Sequence, residues 1–402
     1  MKKPFIFLLI FLLAFSVPLS GCSVSEAVVK AEKQNEVVIG NTRFAIELFK
    51  ILNKDDSDKN IFISPISIST ALTMTLNGAS GSTKEAMEKA LFYTGISLDE
   101  INSGSKYIYQ NLKSKDNQTE LIMDNSIWIK KGYPIKQSFK DVNKEMFDAY
   151  ITDLDFSKPG AADEINNRIK KSTKGMIDQM IRPPIPEHVV MYLINAIYFK
   201  GDWTNSFDPK NTYEANFYGK SKTVTVDMMR RTGDTEYYGN ERLKAVRLPY
   251  GQKEAYAMYV ILPDEESDID EFIDSFDADT WNEIRTGMVE KNKFNLMLPK
   301  FNMEYGIKEL KAALTELGMG EAFTGGADFS LMSDGNLYIE NVLHKAVIEV
   351  NEEGSKAAGA TVVIIEETYI PDNNFIANRP FLFIIADEGD GNILFTGKMI
   401  DG

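Results

Sequence analysis

Hydrophobic residues recur at helical spacing in the first hundred residues of the chain. Side chains three and four positions apart are apolar there, a pattern that places one apolar stripe along a helix. The spacing predicts three helices, over residues 39–52, 67–76 and 83–91. Asn41 and Thr83 are candidate start caps, because their short polar side chains can accept hydrogen bonds from the first free backbone amides.

Further along the chain, short apolar or alternating runs rich in Val, Ile, Phe and Tyr predict strands. These runs cover residues 120–129, 189–199, 245–248, 255–262, 293–298, 337–350, 361–365, 381–386 and 393–395. Helices therefore crowd the first half and strands the second. No internal repeat and no linker rich in Pro, Gly or Ser divides the chain. The pattern predicts an α+β fold in a single large domain.

The first 22 residues have the organisation of an export signal. Lys2 and Lys3 precede an apolar run over residues 5–15, which is too short to span a membrane. Residues 19–22, Leu-Ser-Gly-Cys, resemble the lipobox of bacterial lipoproteins, in which the cysteine carries a diacylglycerol. We expect residues 1–21 to be a signal peptide and Cys22 to be the lipidated residue of an extracellular, envelope-anchored protein. The alternative is a plain secretory signal with an incidental cysteine.

Charge and rare residues exclude several classes of function. The 402 residues carry 44 Lys and Arg against 59 Asp and Glu, a formal net charge of -15, which repels nucleic acids. With one cysteine and two histidines, we expect no disulfide framework, no metal site and no cofactor. His188 lies in a proline-rich turn and should be exposed, whereas His344 lies in a strand pattern and should be buried. No nucleophile elbow, zinc motif or phosphate loop is present, so we predict that the protein is not an enzyme.

Four stretches resemble the signature sequences of the serpins. They occur in the family's order, at residues 60–83, 193–203, 344–361 and 378–398. The second reads LINAIYFKGDW and the third reads HKAVIEVNEEGSKAAGAT. On these motifs the chain is identified as a bacterial serpin from about residue 39 to its C-terminus. The resemblance implies a metastable fold of three β-sheets with eight or nine helices, in one domain over residues 39–402.

The resemblance also implies a mechanism. Serpins expose a reactive-centre loop, here about residues 352–374, that a serine protease cuts to form an acyl-enzyme. The cut loop then enters the main sheet as a new strand, a known case of strand addition, and deforms the protease before it is released. The hinge implied for this chain comprises Glu352, Glu353, Gly354, Ser355, Ala357, Ala358, Gly359, Ala360 and Thr361.

The sequence of the loop permits this insertion. Residues 354–368 contain no proline, which would delete a hydrogen bond of the ladder. Alternation places Ser355, Ala357, Gly359, Thr361, Val363 and Ile365 on one uncharged face. Within residues 355–366, both charged residues, Lys356 and Glu366, fall on the other face. Lys356 departs from the acidic residue usual in the family, but it should point away from the core.

The family spacing leaves two candidates for the bond that the protease cuts. Counting from the hinge gives Thr368–Tyr369, and counting back from Pro380 gives Tyr369–Ile370. Thr368 before the bond would suit an elastase-like protease, and Tyr369 a chymotrypsin-like one. No Arg or Lys lies near either bond, so a trypsin-like target is not expected.

Two further groups are implied by the resemblance. Ser64, Ser67, Asn195 and His344 match the family's shutter, a polar cluster under the main sheet. Trp203, Lys300 and Glu352 match the breach, where the loop enters, and Lys300 is expected to pair with Glu352. Breaking a buried polar network of this kind costs several kcal/mol, so both groups would control opening of the sheet.

We therefore expect a monomer whose partners are chymotrypsin-like or elastase-like serine proteases, and which touches a membrane only through its lipid. The alternatives are a non-inhibitory serpin, acting as a chaperone or ligand carrier, and a solute-binding lipoprotein. Residues 22–38 read either as a tether or as a segment that packs on the body through Val28, Val29, Val37 and Val38 and favours the native state over a latent one.

Overall fold

The structure is a computed structural model that describes residues 21–113, 118–355 and 373–402, with side chains from residue 35 onward. The signal peptide up to residue 20, the bond at Thr368 or Tyr369 and the hinge positions 357–361 lie outside the described residues, as does the strand predicted over 361–365. No helix in the described ranges is long and apolar enough to cross a membrane.

The helices of the described chain number nine, and three further short helical turns accompany them. They are α1 (Gly21–Asp55), α2 (Pro65–Leu76), α3 (Gly81–Ala90), α4 (Leu98–Lys113), α5 (Gln137–Phe147), α6 (Ala161–Ser172), α7 (Ile269–Ser275), α8 (Ala278–Thr286) and α9 (Lys311–Leu314). The short turns are Pro209–Asn211, Thr315–Met319 and Gly320–Phe323.

Two predicted helix caps are wrong. Asn41 lies inside α1, which begins twenty residues earlier at Gly21, and its Oδ1 accepts a hydrogen bond from the Tyr93 hydroxyl at 2.7 Å. Helix α3 is preceded by Ser80, and Thr83 lies within its first turn. The Thr83 hydroxyl instead accepts a hydrogen bond from the Asp328 amide at 2.9 Å. Both polar side chains therefore tie a helix to a neighbouring segment.

Seventeen strands form three sheets among the described residues. They are β1 (Ile61–Ile63), β2 (Thr119–Lys130), β3 (Tyr150–Leu154), β4 (Met191–Asp202), β5 (Tyr213–Tyr218), β6 (Thr223–Gly239), β7 (Leu243–Tyr250), β8 (Tyr256–Pro263), β9 (Val289–Pro299), β10 (Phe301–Glu304), β11 (Lys308–Glu309), β12 (Leu343–His344), β13 (Val347–Val350), β14 (Gly354–Ser355), β15 (Asn374–Ile376), β16 (Phe381–Asp387) and β17 (Ile393–Met399).

The largest sheet has the order β1-β17-β16-β8-β7-β6-β9-β15, with β5 paired to β6. The second, which we call the main sheet, has the order β10-β13-β14-β4-β2-β3. Strands β11 and β12 form a separate pair. The predicted α+β class and the count of three sheets are confirmed.

One predicted strand is wrong over half of its length. Residues 337–350 contain only the strands β12 and β13, and residues 337–342 have no strand. Leu337, Ile339 and Val342 are apolar because they pack as a loop against the core. The Ile339 amide donates to the Ala322 carbonyl at 2.9 Å, which satisfies it outside any sheet. The apolar alternation at residues 337–342 therefore reflects burial of these side chains and not a strand.

Two apolar clusters hold the layers together. The larger one lies between the sheets and helices α1 to α4 and includes Phe199 and Ile197 from one face of β4. The smaller one lies on the opposite face of the main sheet, where Ile194 and Ala196 of β4 pack against Ile165 of α6. Because neighbouring residues of a strand point to opposite faces, β4 contributes to both clusters.

Helix α1 crosses the predicted boundary between the tether and the domain. Residues 22–38 are helical, and the end of this segment packs on the body. Val37 and Val38 are buried, and a Cβ built at Gly104 of α4 would meet Val37 Cγ2 at 2.7 Å. Packing is therefore confirmed for this valine pair, while Val28 and Val29 lie where the structure describes no side chains.

Candidate functional site

Strand β14 lies between β13 and β4 at one end of the main sheet. Ser355 pairs with Val350 of β13 and with Gly201 of β4, antiparallel to both. Below Ser355, the facing edges of β4 and β13 make no backbone-to-backbone hydrogen bond across the gap between them among the described residues. A cavity lined by Ile197, Val347 and Ile348 lies between these edges. We call this gap the slot.

A tight turn directs the hinge into the slot. Asn351 forms it: the side-chain Oδ1 accepts from the amides of Glu353 and Gly354 at 3.1 and 3.3 Å, and its own amide donates to the Gly354 carbonyl at 2.9 Å. A Cβ at Gly354 would lie 2.1 Å from the Gly201 carbonyl oxygen. Only glycine can therefore bring the hinge this close to β4.

Buried aromatic side chains hold Ser355 in place. The Tyr250 hydroxyl and the Ser355 hydroxyl are 2.7 Å apart, and both residues are almost fully buried. Burial raises the pKa of Tyr250 far above its usual range, so this phenol stays neutral. Trp203 stacks on Tyr250 with ring centroids 4.5 Å apart, and Phe199 meets the same ring edge-on. Ser355, at the start of the hinge, is thus held by a cluster of buried aromatic side chains.

The predicted breach residues meet at this end of the slot. Lys300 Nζ lies 3.2 Å from Glu352 Oε2, so the predicted ion pair is confirmed. Trp203 donates from its indole to the Asn351 carbonyl at 2.9 Å, and its amide donates to the Glu353 carbonyl at 2.7 Å. Burial alone would raise the pKa of Glu352, but a hydrogen bond from Thr212 and the charge of Lys300 hold it below its usual range.

The predicted shutter residues form two separate contacts. In the first, the Ser64 amide donates to His344 Nε2 at 3.0 Å, and the Ser64 hydroxyl donates to the Leu394 carbonyl at 2.7 Å. An imidazole nitrogen that accepts a hydrogen bond carries no proton. His344 is buried, as predicted, and burial lowers its pKa to about 3. The contact requires a neutral histidine.

In the second contact, the Ser67 hydroxyl donates to the Asn195 carbonyl at 3.0 Å. The side chain of Asn195 turns to Asn125 on β2 and donates to its Oδ1 at 2.6 Å. Asn125 in turn donates to the Phe147 carbonyl at 2.6 Å. Asn195 Oδ1 is buried and has no hydrogen-bond partner among the described residues. An acceptor is therefore left open beside the slot.

Three residues of this site were not predicted from the sequence. Tyr250 and Thr212 contact the hinge from positions more than a hundred residues away in the chain, and neither belongs to a motif. Asn125 has a weak signal, because Asp124, Asn125 and Ser126 interrupt an otherwise apolar strand. Polar residues inside a buried strand need partners, which points to an internal hydrogen-bond network.

His188 is exposed, as predicted, and its Nε2 lies 2.8 Å from Glu340 Oε2. Among the described residues, no group of three or more His, Cys, Asp or Glu side chains is arranged to hold a metal ion. The described site comprises the slot, the hinge and two polar contacts.

Comparison with known proteins agrees with this architecture. The family model described as "Serpin (serine protease inhibitor)" matches residues 39–402. An uncharacterized serpin-like protein from Thermococcus kodakarensis is 34% identical over 382 residues, which cover 93% of this chain and 88% of that protein. The chain belongs to the serpin family.

Other relatives differ in what their names say they do. The leukocyte elastase inhibitor of Bos taurus is 33% identical over 374 residues, covering 89% of this chain and 97% of that protein. The native-state structure of the thermophilic serpin tengpin is 33% identical, with a TM-score of 0.81 and coverage of 91% and 94%. A thyroxine-binding globulin complex with thyroxine is 28% identical, with the same TM-score and coverage of 90% and 98%.

Proposed function

We propose that the protein inhibits serine proteases of the elastase or chymotrypsin type by inserting its cut reactive-centre loop into the slot. The observation that carries the proposal is β14, which already occupies the first positions of a new strand between β4 and β13. The elastase inhibitor among the relatives supports the same class of target.

The register of β14 determines where each loop residue would go. In antiparallel pairing, each step forward along the loop moves one residue back along β4. Since Ser355 faces Gly201, the pairs that follow are Ala357 with Phe199, Gly359 with Ile197, Thr361 with Asn195, Val363 with Leu193 and Ile365 with Met191. Phe199 and Ile197 belong to the larger core, so the uncharged face of the loop would enter that core.

This register also supplies a partner for the open acceptor. Thr361 would arrive opposite Asn195, and a threonine hydroxyl can donate to an unpartnered amide oxygen. The other face of the loop would place Val362 and Ile364 opposite Ile194 and Tyr192, which belong to the smaller apolar cluster. Both faces of the inserted strand would therefore match the chemistry of the slot.

Geometry supports a requirement for cleavage. Strand β9 leads into β10 through Lys300, and β10 starts level with Ser355, so the loop leaves and returns at the same end of the slot. Reaching Met191 takes ten residues, or about 33 Å. The seven residues that remain up to Asp372 span at most about 25 Å. An uncut loop is thus too short to fill the slot and return, whereas a cut loop fills it.

The test is covalent trapping. The chain from Ser23 onward is mixed with an elastase or with chymotrypsin, boiled in detergent and run on a gel. We expect a band at the summed mass and a released peptide that begins at Tyr369 or at Ile370. Cleavage without a complex, across protease classes, would favour a non-inhibitory role such as ligand binding, for which thyroxine-binding globulin in complex with thyroxine is a precedent among the similar structures.

A matched pair of variants separates insertion from cleavage. Ala360→Pro removes one backbone amide from the inserted ladder, and Ala360→Ser keeps it. We expect the proline variant to be cut without trapping and the serine variant to trap like the parent chain. Equal trapping by both would contradict insertion as the mechanism.

We also propose export and lipid attachment at Cys22, on the strength of the lipobox-like residues 19–22. Two acyl chains from a diacylglycerol supply enough buried methylene groups for stable anchoring. Mass spectrometry of the N-terminal peptide from the envelope fraction should show a diacylglyceryl cysteine. Release of the parent chain into the medium, at the same level as Cys22→Ser, would contradict anchoring.

A further inference from the structure

A segment between α6 and β4 crosses the slot. Residues 173–190, which we call the strap, contain no regular helix or strand. Met176 and Ile177 of the strap line the slot cavity together with Ile197 and Val347, which lie on opposite sides of the gap. The strap therefore lies over the part of the main sheet into which a new strand would have to insert.

One buried asparagine fastens the strap to α6. Asn166 Oδ1 accepts hydrogen bonds from the amides of Met180 and Ile181, both at 2.9 Å, and its Nδ2 donates to the Ile181 carbonyl at 2.7 Å. Asn166 is buried, so these bonds are shielded from water. A single side chain thus satisfies three backbone groups of an otherwise irregular segment, and each would be unsatisfied without it.

The far side of the strap is held more weakly. Asp178 lies 3.6 Å from Lys345, and His188 lies 2.8 Å from Glu340. The partners Lys345 and Glu340 flank β12, across the slot from β4. Asp178, His188 and Glu340 are each more than half exposed, and exposed pairs contribute little. The strap is therefore held mainly on its α6 side, by Asn166 and by the buried side chains of Ile177 and Met180, and more weakly on the opposite side.

We propose that Asn166 is the positioning residue that controls strand entry, because it ties the strap to α6 and so keeps the slot covered. This inference rests on the proposed function, in which a strand enters the slot. Side chains on the outer face of that strand, opposite Ile194 to Tyr198, need the space below Ile177. With Asn166 intact, the strap lifts only if α6 moves with it. Without Asn166, the strap is held to α6 only by its first turn and by apolar packing of Ile177, Met180 and Ile181, so it lifts more easily.

The test measures entry of a strand supplied from outside. A fluorescent peptide with the sequence of residues 355–367 is incubated with the full chain and with Asn166→Ala, and its annealing is followed by anisotropy and native gels. We expect Asn166→Ala to take up the peptide faster by on the order of tenfold or more, since three buried hydrogen bonds no longer hold the strap. An unchanged or slower rate would overturn the proposal.

Asn143→Ala is the matched control for general destabilisation. Asn143 is a buried asparagine of α5 that donates to the Phe139 carbonyl at 3.0 Å, and it lines neither the slot nor the strap. Annealing accelerated equally by Asn143→Ala would also overturn the proposal. If Asn166→Ala fails to fold, Asn166→Asp replaces it. Aspartate keeps both acceptor bonds and loses the donor to Ile181, so a smaller acceleration in the same direction is expected.

The protease assay run on the same variants separates the two proposals. If the parent chain and Asn166→Ala anneal the peptide at one rate while both trap a protease, the role of Asn166 is refuted and inhibition stands. If no variant takes up the peptide and none traps a protease, both are refuted.

Discussion

Burial of His344 predicts that the native state becomes less stable as the pH falls below 6.5. The neutral ring accepts a hydrogen bond from the Ser64 amide, and burial lowers its pKa from 6.5 to about 3. Between these values the unfolded chain binds a proton that the folded chain does not. Stability from this group is therefore complete above pH 6.5 and is lost progressively as the pH falls towards 3.

The size of the effect follows from the two pKa values. Each pH unit below 6.5 costs about 1.4 kcal/mol, so His344 alone should remove about 2 kcal/mol by pH 5. A protonated ring also cannot accept from Ser64, so acid should weaken this shutter contact directly. The same acidification should therefore speed uptake of a strand into the slot.

The assay uses the fact that the chain has two histidines. In His188→Gln, the remaining imidazole signal in an NMR titration belongs to His344, and it should stay unprotonated down to about pH 4. Urea unfolding of the parent chain and of His344→Gln, followed from pH 7 to pH 5, isolates the contribution of this ring. Glutamine can accept from the Ser64 amide but does not titrate in this range.

We expect the parent chain to lose about 2 kcal/mol more than His344→Gln over that interval. The carboxylates titrate in both proteins, so their contribution cancels in the difference. Parallel pH profiles for the two proteins, or an imidazole signal that titrates near pH 6.5 in the folded state, would refute the reasoning.

Three further substitutions test other contacts. Glu352→Gln should lower stability by about 1 kcal/mol, because it removes an ion pair that is partly exposed, and should speed hydrogen exchange of the β14 amides; unchanged exchange would contradict a role in holding the hinge. Asp56→Asn should cost about 3 kcal/mol in urea unfolding, because its buried carboxylate binds two lysines and a tyrosine, whereas the exposed Asp55→Asn should cost little. Val37→Ala should cost about 2 kcal/mol by the same measurement and the exposed Ile39→Ala much less; equal losses would mean that α1 does not dock through Val37.

Strands β2, β4, β7, β8, β16 and β17 could be predicted from the sequence, because their apolar runs arise from burial of one or both faces. Strands β3, β5 and β6 were not predicted, because much of their surface is exposed and their sequences are correspondingly polar. The same signal failed at residues 337–342, where Leu337 and Ile339 pack as a loop. The first half of α1 was not predicted firmly as a helix, because its sequence contains too few apolar residues at helical spacing. Residues 23–36 are mostly small, polar or charged, and Val24, Val28 and Val29 are too few to form a continuous apolar stripe along the helix.

The contacts of the candidate site were likewise only partly predictable from the sequence. The breach pair of Lys300 and Glu352 could be predicted, since both match positions of the family's breach. The bond between Tyr250 and Ser355 could not, because it joins distant segments through geometry that no local pattern encodes. Asn166 likewise reads as an ordinary polar residue of an amphipathic helix, and its three bonds to the strap become visible only when the chain is folded.

The length of α1 has a mechanical consequence if Cys22 carries a lipid. The fifteen residues from Cys22 to Glu36 are helical, a rod of about 22 Å at 1.5 Å per residue. A helix resists bending far more than a polar coil of the same length. The body would stand at a set height above the bilayer and drift with it in two dimensions. If the protein inhibits proteases as proposed, those acting close to the surface would meet it by lateral diffusion, and those far above it would not.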